Sequence, residues 1–138
     1  MCAAKFRLAR LLYPAGFALF STSCVGLNLP WADDVPLHAA VDAARKTRDE
    51  AQLQSLKTQL AQKIANDPKD AASYVDLAKV NACLVDVYEM RKDKKSAVAA
   101  VDRAIESVQH SIQLDDKSAD AHSLLADLYG RKISLTSL

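Results

Sequence analysis

Apolar side chains recur every three or four positions between residues 37 and 138, the spacing that lines one face of a helix. Leu53, Leu56, Leu60 and Ile64 mark the first stripe, inside a helix expected from Leu37 to Asn66. Its earlier half is weaker, because Arg45-Lys46-Thr47-Arg48-Asp49-Glu50 is polar on every side and leaves room for a break. Asp67-Pro68 ends it, since a residue before Pro is steered away from helical backbone. Asp70 is placed to cap a second helix that reaches about Arg91, with a stripe of Tyr74, Leu77, Ala78, Asn81, Leu84, Val85 and Tyr88. A third helix begins near Lys95 or Ser96 and ends near Leu114; its stripe is Val98, Val101, Ile105, Val108 and Ile112. Ser118 caps a fourth, which buries Ala121, Leu125, Leu128 and Tyr129. Pro falls only at positions 14, 30, 36 and 68, and Gly130 is the sole breaker beyond Pro68. The pattern predicts an all-α fold, and 138 residues make one domain.

One segment occurs twice. Asn66-Asp67-Pro68-Lys69-Asp70-Ala71-Ala72-Ser73-Tyr74-Val75-Asp76-Leu77-Ala78 is followed later by Leu114-Asp115-Asp116-Lys117-Ser118-Ala119-Asp120-Ala121-His122-Ser123-Leu124-Leu125-Ala126. Each is an acidic turn, an Ala-rich helix start and a large-small stripe. Similarity at a fixed spacing marks a repeat architecture, in which each helical pair buries its face against the next.

These residues resemble the tetratricopeptide repeat family. Leu125-Ala126 and Leu77-Ala78 fill its Leu-Gly pair, Tyr129 its Tyr place, and Ser111-Ile112-Gln113-Leu114-Asp115-Asp116 its Ala-Leu-Glu-Leu-Asp-Pro ending without the Pro. The resemblance implies antiparallel helical hairpins stacked as a short solenoid. The family repeats every 34 residues, whereas Ala71 and Ala119 lie 48 apart. The extra length adds about two turns to each helix. Lengthened hairpins of this kind look similar to exported bacterial helical proteins, including some associated with periplasmic transporters.

Charge adds an export signal to this picture. Lys5, Arg7 and Arg10 precede an apolar run from Leu11 to Phe20, and no acidic residue occurs before Asp33. Residues 1–23 read as a signal peptide and 24–36 as a tether. Small residues before Cys24 resemble a lipoprotein signal, which would place a lipid on that thiol and tie the protein to a membrane. Cleavage after Ala32 is a second reading, and an uncleaved anchor from Leu11 to Ala32 is a third. From Asp33 onward 15 basic residues face 17 acidic ones, so no basic nucleic-acid surface is expected. Arg91-Lys92-Asp93-Lys94-Lys95 reads as a solvated turn.

Catalytic machinery is not legible. His38, His110 and His122 fall on three different predicted helices without ligand spacing, so no metal is expected. His122 reads as a partly buried structural residue, and His38 and Asp42 share a face at four-residue spacing. Three glycines build no phosphate loop, and no cofactor is implied. Cys83 lies among Ala82, Leu84 and Val85 and reads as a buried, inert thiol.

By the resemblance, the first helix of each pair lines a concave groove. That places Ala72, Val75, Lys79 and Cys83 of the second predicted helix beside Asp120, Ser123, Asp127 and Arg131 of the fourth. Val75, Lys79, Ser123, Asp127 and Arg131 are the candidate partner contacts. Asp127 argues against capture of a C-terminal carboxylate, and the mixed charges suit a mixed-charge protein or peptide. The last repeat is incomplete after Gly130, and Ile133, Leu135 and Leu138 look uncovered. Truncation of a longer repeat protein, self-association through the fourth helix, and completion by a partner each account for that, with truncation favoured. The expected function is a non-enzymatic protein-interaction scaffold of the bacterial cell envelope. The alternative is a periplasmic transport accessory that holds a ligand or serves a transporter.

Overall fold

The computed structural model describes residues 36–137. The expected signal peptide, the lipidation site Cys24, nearly all of the tether and Leu138 lie outside these residues. The described chain is all-α: α1 (Leu37–Thr47), α2 (Glu50–Asn66), α3 (Ala71–Met90), α4 (Lys94–Leu114) and α5 (Ala119–Thr136). Among the described residues no helix is long and apolar enough to cross a membrane.

Short polar side chains start four of the five helices. Asp49, Asp70, Asp93 and Ser118 each accept a hydrogen bond from a backbone N–H in the first turn of α2, α3, α4 and α5. Such caps satisfy donors that have no partner inside the helix. The turns before α3 and α5 share one construction. The Asp67 amide donates to the Lys63 carbonyl and the Asp115 amide to the Ser111 carbonyl, at 2.9 and 2.8 Å. The Lys69 and Lys117 amides then donate to the Asp67 and Asp115 carboxylates, at 3.2 and 3.1 Å. The link from α3 to α4 differs. Lys92 sits in left-handed backbone with φ 59°, while the Asp93 amide reaches back to the Tyr88 carbonyl and the Lys92 amide to that of Glu89. This is the hydrogen-bond pattern of a Schellman helix end, built without glycine.

The single helix expected from Leu37 to Asn66 is two. Arg48 adopts φ 52°, which no helix continues through, and the Asp49 carboxylate accepts from the Ala51 and Gln52 amides to start α2. The polar stretch around residues 45–50 is therefore a corner, and α1 folds back to pack on both α2 and α3.

Packing follows the chain order, each helix lying against its neighbour as short turns require. Among the described residues, α3 touches all four other helices, while α5 touches only α4 and α3. Buried positions match at a separation of 48 residues. Leu53, Leu56 and Leu60 of α2 correspond to Val101, Ala104 and Val108 of α4, and all six are buried. Ser73, Val80 and Val87 of α3 correspond to Ala121, Leu128 and Leu135 of α5, again all buried. Leu84 and Leu128, at 1% and 0% exposure, anchor the core; burying such a side chain contributes about 1.5–3 kcal/mol.

Three expectations for the fourth predicted helix change. Tyr129 is 43% exposed rather than buried, its hydroxyl accepting from Gln109 Nε2 at 2.9 Å. Leu135 is 7% exposed, so it is covered, whereas Ile133 remains open at 64%. The helix runs without a break through Gly130, where an added Cβ would meet only open space.

Candidate functional site

α1, α3 and α5 enclose a concave pocket of about 570 Å³. Asp42, Arg45, Lys46 and the Arg48 cap form the α1 side; Lys79, Ala82, Cys83 and Asp86 form the floor on α3; Leu124, Asp127 and Arg131 form the α5 side. Asp86 is the hub. It accepts a short hydrogen bond from Arg131 Nη1 and lies 3.7 Å from Arg48 Nη2, so one carboxylate ties α5 and α1 to α3. Arg131 Nε also lies 3.3 Å from Asp127. Burial opposes the charge of Arg131, but the Asp86 hydrogen bond and the nearby carboxylates of Asp86, Asp127 and Glu89 outweigh it and raise its pKa. That guanidinium is held charged and oriented, which suits it to recognition.

A second cluster joins the other end of α1 to α3. His38 Nδ1 pairs with Asp76 Oδ1 at 3.0 Å and its Nε2 with Asp42 Oδ2 at 3.6 Å. Lys79 Nζ lies 3.6 Å from the same Asp76 oxygen. Asp76 is 6% exposed, and its contacts with His38 Nδ1 and the Lys79 ammonium offset the cost of burying its carboxylate.

Cys83 has basic neighbours that its sequence context did not reveal. Burial pushes its thiol pKa up; Asp86 adds to this, and Arg45 and Arg131 pull against it without reversing the direction. The thiol stays protonated near neutral pH, so the pocket floor does not present an activated nucleophile.

Of the residues expected on the groove, Lys79, Cys83, Asp127 and Arg131 line the pocket together. Val75 does not reach the groove: at 7% exposure it belongs to the core, because α3 is covered on more sides than a first helix facing open solvent. Ser123 is exposed on α5 but outside the pocket lining. Ala72 and Asp120 are also exposed and outside it. The α1 contribution was missed. Asp49-Glu50-Ala51-Gln52 carries a capping signal, an N-cap acid with Gln three residues on, that would have located the corner and turned α1 into the groove. Asp86 had no such signal, since its role depends on two arginines brought from distant helices.

The remaining histidines have other duties. His110 stacks on Tyr74 with ring centroids 5.5 Å apart. His122 is exposed rather than partly buried, its Nε2 lying 2.8 Å from the Asp116 carbonyl. Among the described residues, no group of three His, Cys, Asp or Glu side chains is arranged to hold a metal ion. A smaller hollow of about 280 Å³ lies between Glu89, Lys92 and Lys94 on one side and Ser134 and Leu135 on the other. No model of a known protein family matches the chain, and no curated protein or solved structure matches it.

Proposed function

We propose that this chain is a non-enzymatic interaction scaffold, built as a short tetratricopeptide-like stack of helical hairpins, whose α1–α3–α5 face docks a protein or peptide. The observation that carries the reading is the pocket itself. Every other helix contributes to it, and ion pairs from Asp86 to Arg48 and Arg131 join the three. The matching turns before α3 and α5, and the buried positions shared by α2 with α4, support the stacked arrangement. The mechanism is presentation: fixed helices hold polar side chains at set positions, so a partner binds without reorganising the scaffold.

The transport-accessory alternative would gain from an apolar cavity between helices. The larger cavity is walled mainly by charged side chains, which favours docking of a polar partner. We place the scaffold at the bacterial cell envelope, tethered through a lipid on Cys24. Mass spectrometry of the mature chain tests this, and a free, unmodified N-terminus at Asp33 would overturn the anchor.

The docking face is tested by retaining envelope proteins on immobilised chain. Proteins held by the wild type should be lost with Lys79→Glu and kept with Gln62→Glu on exposed α2. Identical retention by all three chains would overturn the groove as the docking face.

A further inference from the structure

Among the described residues, α5 leaves one side bare. Its buried positions, Ala121, Leu128 and Leu135, turn toward α3 and α4, while Leu124, Asp127 and Arg131 line the pocket. Ala126, Tyr129, Gly130 and Ile133, spaced three and four residues apart, share a third side and are all exposed, Ile133 at 64%. His122 extends this stripe by one turn toward the start of the helix. None of the five is Asp, Glu, Lys or Arg. Nothing in the described chain requires glycine at position 130. The helix runs through it without a positive φ, an added Cβ would meet only open space, and glycine weakens a helix interior relative to alanine. What a bare glycine on a helix surface permits is the close approach of another backbone.

The charge distribution names the occupant. α1, α3 and α5 run one way and α2 and α4 the other, so the links at residues 47–50 and 90–94 and the end of α5 lie together. The Glu50–Arg91 pair and the contacts of Arg48 and Arg131 with Asp86 join them. With each helix cut at its middle, this half (residues 43–58, 81–104 and 128–137) holds 11 basic and 6 acidic residues. The other half (residues 36–42, 59–80 and 105–127) holds 4 basic and 9 acidic. Every internal ion pair is inside these counts, so pairing does not remove the polarity. Lys94 and Asp116 mark its two ends beside α5. Lys94 borders the hollow with Ser134 and Leu135, the Asp116 carbonyl meets His122 Nε2, and neither side chain forms an ion pair among the described residues. A surface complementary to such a body is acidic where this one is basic, over the same length. A second copy turned end for end supplies it, whereas a copy in the same sense opposes like charges.

We propose that two copies of this chain pack α5 against α5 in antiparallel fashion, closing over Ala126, Tyr129, Gly130 and Ile133, with the basic half of each copy beside the acidic half of the other. A two-fold axis through the middle of α5 sets Ala126 against the partner's Gly130, Ile133 over the partner's His122 and Lys94 beside the partner's Asp116, each contact made twice. The pocket lies on another side of α5 and stays open in both copies. The dimer stands independently of the docking reading; together with it, two docking faces raise avidity for a repetitive partner.

The test is sedimentation velocity on the full chain across a concentration series. A monomer–dimer equilibrium is expected, weakened by added salt. Gly130→Gln should weaken the dimer about tenfold by holding the helices apart, while helix content by circular dichroism stays level or rises, glutamine being the better helix former. Lys94→Glu and Asp116→Lys should each weaken self-association several-fold. Mixed together, those two variants should pair as tightly as the wild type, because the reversed end of one meets the reversed end of the other. A monomer at every concentration overturns the proposal. Species that grow beyond a dimer overturn the two-fold in favour of end-to-end stacking. A dimer indifferent to Gly130→Gln overturns α5 as the contact. Mixed variants that stay as weak as each alone overturn the antiparallel arrangement.

Discussion

α3 and α5 start 48 residues apart with similar sequences, yet they live in different surroundings. Each follows an acidic turn, each buries a residue every seventh position, and each sends side chains into the same pocket. α3 is packed by four helices and also buries Val75, Asp76, Ala78, Asn81, Cys83, Leu84 and Val85. α5 is packed by two and buries Ala121, Leu128 and Leu135 alone. One sequence pattern therefore yields a central helix and a peripheral one, according to what lies on the far side. The functional consequence is a division of labour. α3 supplies the rigid floor, and α5 supplies a more open wall steered by Arg131.

Core truncation separates the two helices most. Leu84→Ala on α3 should lose about 3–4 kcal/mol and Leu135→Ala on α5 about 1–2 kcal/mol, since the less enclosed site relaxes more easily. Urea denaturation measures both. Equal losses would mean that α5 is as enclosed as α3.

The caps give a smaller and sharper contrast. Asp70 and Ser118 begin α3 and α5 at equivalent places, and replacing either by Ala should cost about 1 kcal/mol at neutral pH. Only the first loss depends on acid. Hydrogen bonds from Ser73 and Lys63, with the Lys63 charge, hold the Asp70 carboxyl down at about 2, although partial burial pushes the other way. A depressed carboxyl stabilises above its unfolded value, near pH 4, and that stability is lost as pH falls towards 2. The Asp70→Ala deficit should therefore shrink between about pH 4 and 2, while the Ser118→Ala deficit stays level. Parallel pH profiles would break the assignment.

Asn81 and Tyr129 form the next pair. Asn81 is 2% exposed, and its Nδ2 donates to the Leu77 carbonyl at 3.0 Å, but its Oδ1 has no partner among the described residues. Asn81→Leu should raise stability by about 1 kcal/mol, because an unpaired buried acceptor is replaced by an apolar side chain of the same branching. Tyr129→Leu, at an exposed site, should change it by less than about 0.5 kcal/mol. The helix ends give the smallest effect. Lys92→Gly should stabilise the end of α3 by a few tenths up to about 1 kcal/mol by relieving left-handed strain. Ser137→Gly at the end of α5, where φ is −81°, relieves nothing.

Much of this fold was legible from periodicity and caps. The limits of α3 and α5 follow from Asp70, Ser118 and the stripes beside them, because local propensity and burial agree there; the cap at Asp93, which starts α4 at Lys94, was read only as part of a solvated turn. The corner at Arg48 was not. Arg in left-handed backbone carries no compositional mark, and the polar run around it fits a solvated helix as well as a turn. That local ambiguity hid the α1 wall of the candidate site, since Asp42, Arg45 and Arg48 reach the pocket only if α1 turns back. Position along the stripe located Lys79, Asp127 and Arg131 but misplaced Val75. Facing the groove depends on how many helices cover α3, which is a tertiary property.

The account stands on the pocket between α1, α3 and α5 as the docking face. A photo-reactive amino acid placed at Ala82 in the pocket, or at Gln62 on exposed α2, tests it in living cells. The account predicts a discrete crosslinked partner from position 82, lost when Lys79→Glu is added, and none from position 62. Crosslinking that is equal at both positions, or that survives Lys79→Glu, would contradict it.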